Sequence, residues 1–77
     1  MTAPAGAIVK LYLDTRREIL PGDVVETQTG RRYLVQSVRI QERGKHVGRK
    51  HLSVVVLAAD EPTPPGAMVI VIRWYRR

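Results

Sequence analysis

Four permanent cations and two imidazoles fall within nine residues, Arg43-Gly44-Lys45-His46-Val47-Gly48-Arg49-Lys50-His51. Glycines at 44 and 48 leave backbone N–H groups open to close approach. Arginine gives bidentate contacts to phosphate, and lysine gives a mobile point charge. Such a loop has the chemistry to cradle phosphates. It is not a P-loop, because the order G-x-x-x-x-G-K-[ST] is absent and Lys45 precedes the second glycine. Two plainer readings stand beside this one: a solvated hairpin tip, and a contact for an acidic protein face.

A second basic cluster closes the chain. Arg73, Arg76 and Arg77 are interleaved with Trp74 and Tyr75. Rings beside arginines stack bases while guanidinium groups hold phosphates. Tyr75 is the candidate platform. Trp74 falls on the opposite parity of a strand from Arg73 and Tyr75, which makes it a core plug. Two further pairs, Arg16-Arg17 and Arg31-Arg32, complete the clusters. Arg31 and Arg32 join the candidate nucleic-acid contacts, with Arg43, Lys45, His46, Arg49, Lys50, Arg73, Tyr75, Arg76 and Arg77.

Enzyme chemistry finds less support. The chain has no Cys, which removes cysteine nucleophiles, disulfides and Cys-based zinc sites. His46 and His51 match no metal-ligand spacing, and neither a metal nor another cofactor is expected. His51 and Ser53 lie two apart on a strand without a positioned Asp, which is no triad. The carboxylates Asp14, Glu18, Glu26 and Glu42 each have an arginine to balance. A non-enzymatic protein with no small-molecule substrate follows.

With 77 residues there is room for one small domain. The balance of 13 Lys+Arg against 7 Asp+Glu gives +6. That value is within the roughly 2–8 of an ordinary solubility margin. Its placement is less ordinary: seven of the 13 cations lie in the 43–50 loop and the 73–77 tail, and four more form Arg–Arg pairs. Clustering at turns and a terminus favours a polyanionic partner. DNA or RNA leads. An acidic protein surface and self-association are the alternatives. No apolar run approaches the ~20 residues that span a bilayer, and no signal peptide is evident, so a cytoplasmic protein is expected.

Hydrophobic residues are 44% of the chain, with no Phe, one Trp and three Tyr. The core must come from Val, Leu and Ile, a bias that favours sheet. After an N-terminal segment of residues 1–6, expected to be flexible, the domain runs over 7–77. The first strand covers residues 7–13, with Val9, Leu11 and Leu13 on one face and Lys10 and Tyr12 on the other. Ile19 and Leu20 re-enter the interior. Pro21-Gly22-Asp23 predicts a type II turn. A short strand at 24–27 and a tight turn at 28–30 follow. The third strand runs from Arg31 to about Arg43. Tyr33 and Val35 have one parity and Val38 and Ile40 the other, which predicts a bulge or bend at Gln36-Ser37. A fourth strand covers 51–57. The stretch 60–66, with three prolines, predicts a surface loop. The last strand covers 68–75. Helical periodicity is weak, leaving at most a short helix near 15–20 or one turn near 58–62.

Five strands with an interior bend predict an all-β, SH3-like small barrel, with an OB-like barrel as second choice. Leu20-Pro21-Gly22-Asp23-Val24-Val25, Thr29-Gly30-Arg31-Arg32-Tyr33-Leu34-Val35 and Val38 carry a resemblance. They look like the first hairpin and long bent strand of SH3-like barrels. Two groups share this pattern. KOW-type translation and transcription modules bind RNA or polymerase partners. Head-closure and head–tail connector proteins of tailed phages pack as rings. The resemblance spans residues 20–40 and carries over no site residue. It implies nucleic-acid binding or, alternatively, a structural module assembling by strand pairing and basic loops, in host cytoplasm or virion if phage-encoded.

Overall fold

Apolar alternation sets five strands in the computed structural model, which describes residues 4–72. They are β1 (Ile8–Leu13), β2 (Val24–Thr27), β3 (Arg32–Ile40), β4 (Lys50–Val56) and β5 (Val69–Ile72). Among the described residues there is no helix, hence none long and apolar enough to cross a membrane. The strands make one mixed sheet in the order β1-β4-β3-β2-β5. All pairs are antiparallel except β2–β5. The ladders leave this sheet open between β1 and β5 among the described residues.

One face of the sheet is the core. Leu13, Val25, Val35, Leu52, Val54 and Ile70 are buried there together with Ile19. Every strand contributes, because paired residues point to the same side and these lie in register: Val25 opposite Ile70, and Val35 opposite Val54. The expected inward face of β1 is correct, with Leu13 buried and Val9 and Leu11 packed against the cluster.

The Pro21-Gly22 turn forms as its residues dictate. Asp23 N–H donates to the Leu20 carbonyl at 3.1 Å, and Gly22 takes φ +95°, the left-handed region that the third position of a type II turn needs. Leu20 is exposed rather than interior. It opens this turn, its own N–H bonds the Asp23 carboxylate, and Ile19 alone enters the core.

The turn also reaches β3. Gly22 N–H donates to the Val35 carbonyl at 2.8 Å, and Val35 N–H donates to the Asp23 carbonyl at 2.9 Å. Beyond Val35, β3 pairs with β4 alone. Released from β2, it takes up its bulge: Val35 pairs Val54, Ser37 pairs Ser53, and Gln36 is the extra residue. Val38 thereby returns to the core side, and Ser37 and Arg39 face outward.

The third strand ends at Ile40, short of Arg43. Gln41 closes the hairpin there: its N–H donates to the Arg49 carbonyl and its carbonyl accepts from Gly48, both at 2.9 Å. At 58–61 a single turn forms, with Glu61 N–H donating to the Ala58 carbonyl at 3.1 Å. β5 starts at Val69, one residue later than expected, and the expected continuation over 73–75 lies outside the described residues.

Deleting Gln36 alone would only close the bulge. Deleting Gln36 and Ser37 together is expected to turn Arg39 inward, because Val38 then follows Val35 directly and takes the outward position opposite Ser53. Burying that charge without a partner costs several kcal/mol, a large part of the ~5–15 kcal/mol of an ordinary domain. Gln36→Ala keeps the chain length at an exposed position, so its stability should stay within about 0.5 kcal/mol of wild type. Urea denaturation followed by circular dichroism separates the two.

Candidate functional site

The outward face of β1, β4 and β3 carries two short rows of polar side chains set by the register. Lys10, Ser53 and Ser37 are cross-strand neighbours, and so are Tyr12, His51 and Arg39. Together they line a shallow depression of about 250 Å³. The Tyr12 and His51 rings meet edge to face, with centroids 4.8 Å apart and planes at 88°. A second depression adjoins it, lined by Arg39, Ile40, Gln41, Glu42, Arg43 and His51. Arg39 and His51 belong to both, so one path runs from Lys10 to the base of the 43–49 loop.

Gln41 ties the face to the loop. Its Nε2 donates to the Arg43 carbonyl at 2.8 Å, which leaves Oε1 to accept from His51 Nε2 at 3.0 Å. The chain of contacts Tyr12–His51–Gln41–Arg43 therefore fixes the loop base against the strands.

The expected contacts divide into three groups. Arg43 and Lys45 are exposed on the loop and form no ion pair among the described residues. His46, Arg49 and Lys50 are turned toward the chain itself. Arg49 donates to both carboxylate oxygens of Asp14, at 3.1 and 3.3 Å, and to His46 Nδ1 at 3.0 Å. Lys50 lies on the core side, in register with Leu13 and Ile40, and its Nζ reaches the Thr15 carbonyl at 2.8 Å. These bonds hold residues 14–15 against the start of β4.

Arg31 and Arg32 lie at the other end of β3, about 30 Å away along its nine residues. Arg32 anchors the proline-rich loop. Its guanidinium donates to the Thr63 hydroxyl at 3.0 Å, to the Ala58 carbonyl at 2.9 Å, and to the Ala59 and Glu61 carbonyls. Arg31 is exposed next to it. The remaining expected contacts, Arg73, Tyr75, Arg76 and Arg77, lie outside the described residues, as does Trp74.

Lys10, Tyr12 and Arg39 were not among the expected contacts. A signal for two of them was present, since Lys10 and Tyr12 share the outward parity of the first strand. Arg39 needed the bulge to be read through to its consequence.

Compared with known proteins, the chain matches no family, no curated protein and no solved structure. The chemistry of the face must therefore carry the functional argument.

The Arg49 hydrogen bonds hold the Asp14 carboxyl below the ordinary aspartate value of 3.8; desolvation opposes this, and the Arg49 and His46 charges add to the lowering. A carboxyl with a depressed folded value contributes stability above its unfolded value and loses it as pH falls through the folded one. Arg49→Gln is expected to return the Asp14 titration, followed by carboxyl carbon NMR, to the ordinary value. Arg32→Met should lower stability by about 1–3 kcal/mol in urea, because several loop carbonyls lose a charged donor.

Proposed function

We propose that the protein is a non-enzymatic nucleic-acid-binding module whose contact surface runs from Lys10 through Arg39 and His51 to Arg43, with Lys45 beside it. The observation that carries this reading is the continuity of the two depressions through Arg39 and His51. Lys10, Arg39 and Arg43 contribute cations to that path, and the Arg49–Asp14 ion pair lies on another contact. Glu42 is the one carboxylate on the lining. A lining of this kind suits phosphates, which supply most of the affinity in nucleic-acid binding. The scaffold is an SH3-like curl of the sheet. Its support is the bulge in β3 and the single core that joins the two end strands through Leu13 and Ile70.

A second reading has its own observation. Met68, just before the strand at the end of the sheet, and Val69 and Val71 on it are exposed at 63%, 40% and 53%. That edge suits pairing with another chain, as in a ring-forming connector. Light scattering that reports a discrete oligomer, with no retention on nucleic acid, would favour it.

The test of the first reading is a titration of labelled DNA and RNA oligonucleotides by fluorescence anisotropy at 50 and 200 mM salt. Affinity is expected to fall about tenfold or more across this range. Joint substitution Lys10→Ala and Arg39→Ala should reduce the salt slope by roughly one to two. Arg49 and Lys50 stay intact, because removing them releases residues 14–15 and confounds folding with binding. No binding at 50 mM salt, or an affinity indifferent to salt, would sink the reading.

A further inference from the structure

Phosphate chemistry leaves the aromatic ring on this face unused. Tyr12 is 52% exposed and points away from Leu11 and Leu13, so it does not serve the main core. We infer that the face takes single-stranded nucleic acid in preference to duplex, with an unpaired base stacked on Tyr12 and adjoining phosphates held by Lys10 and Arg39. The inference rests on the nucleic-acid reading above and names its substrate class.

Three observations converge. The first is that the ring is held before any ligand arrives. His51 packs edge to face with it at 4.8 Å, and His51 is itself fixed by Gln41. A ring already ordered loses less freedom when a base stacks on it. The faces of bases are covered in a duplex, and unpaired nucleotides present them.

The second is the arrangement of charge around the ring. Lys10 precedes Tyr12 by two residues on β1, about 7 Å along the strand. Arg39 lies two strands away, about 10 Å across the sheet. Ser53 and Ser37, in register with Lys10, add hydroxyl donors between the cations. The two rows contain no carboxylate.

The third is size. The depression of about 250 Å³ falls below the roughly 300–1,000 Å³ of small-molecule pockets, and it is lined mainly by polar groups. A ligand extending past it, along the path toward Arg43, fits better than one enclosed by it.

The experiment uses three probes of equal length at one ionic strength: a single-stranded oligonucleotide, the same sequence as a duplex, and an abasic single strand. DNA and RNA versions of the single strand identify the preferred sugar. Wild type is expected to bind the single strand about tenfold or more tighter than the abasic strand, and tighter than the duplex. Tyr12→Leu should weaken single-strand binding by about five- to a hundredfold. Tyr12→Phe should retain it, and neither variant should change the salt slope, because no charge is removed. Equal binding of single and abasic strands by wild type overturns the inference without needing a variant. So does full single-strand affinity in Tyr12→Leu. If the salt slope still depends on Lys10 and Arg39 in those cases, the nucleic-acid reading stands and stacking alone falls. Absence of binding to every probe at low salt removes both.

Discussion

The extra residue at Gln36 is the constraint on which both faces of the sheet depend. A strand has period two, so one inserted residue would exchange the faces of everything after it unless a bulge absorbs it, as the bulge at Gln36 does. With Gln36 bulged out of the ladder, Val35 and Val38 both serve the core despite their odd spacing, while Ser37 and Arg39 stand beside Ser53 and His51. Core and candidate site are therefore two sides of one register. The bulge falls where β2 stops: the last bonds from that side come from Gly22 and Asp23 to Val35. Beyond them β3 has one neighbouring ladder instead of two, and a local irregularity there disturbs fewer bonds.

A second theme is the supply of donors to irregular backbone. Residues 58–63 and 14–15 lie outside the ladders and present carbonyls that need partners. Proline worsens the shortage, since it keeps a carbonyl and lacks an N–H. Arg32 answers it for the proline-rich loop and Lys50 for residue 15. Arginine suits the first role because one planar group carries five donors. Arg49 adds a bidentate pair to Asp14. Three of the cations that look available in the sequence thus hold the fold, and net charge overstates what remains for a partner.

Much of the architecture was legible because it is local. Pro21-Gly22 writes its own turn, the alternation in β1 and β4 writes the core face, and the parity break from Val35 to Val38 writes the bulge. Even the inward role of Lys50 was readable, since it shares parity with Leu52. Closure into a barrel was inferred from strand count and bend, and the hydrogen-bonded order β1-β4-β3-β2-β5 is an open sheet among the described residues. That property depends on how the end strands meet, which no local pattern encodes. The site was hidden for the same reason. Clusters along the chain draw attention to 43–50, whereas Lys10, His51 and Arg39 are 41 and 12 positions apart and meet only through long-range pairing.

The distinction between strand-borne and loop-borne cations then assigns them different work. Arg43 and Lys45 sit on an exposed turn, where a flexible side chain in water gains little from any single contact. On the proposed reading, their contribution would be to the field that draws a polyanion toward this end of the molecule, and salt screens such a field within about 10 Å at 0.1 M. Lys10 and Arg39 are spaced by the sheet itself, at distances fixed by ladder geometry. Charges held in register meet a ligand without ordering a loop first, so less of the contact energy is lost to entropy. Tyr12 shares β1 with Lys10 and its cross-strand row with Arg39, and on the proposed reading a ring so placed would sort ligands by whether they offer a base face as well as a phosphate. On the nucleic-acid reading proposed above, selectivity would belong to the strands, and the loop would govern how fast and at what ionic strength a ligand arrives.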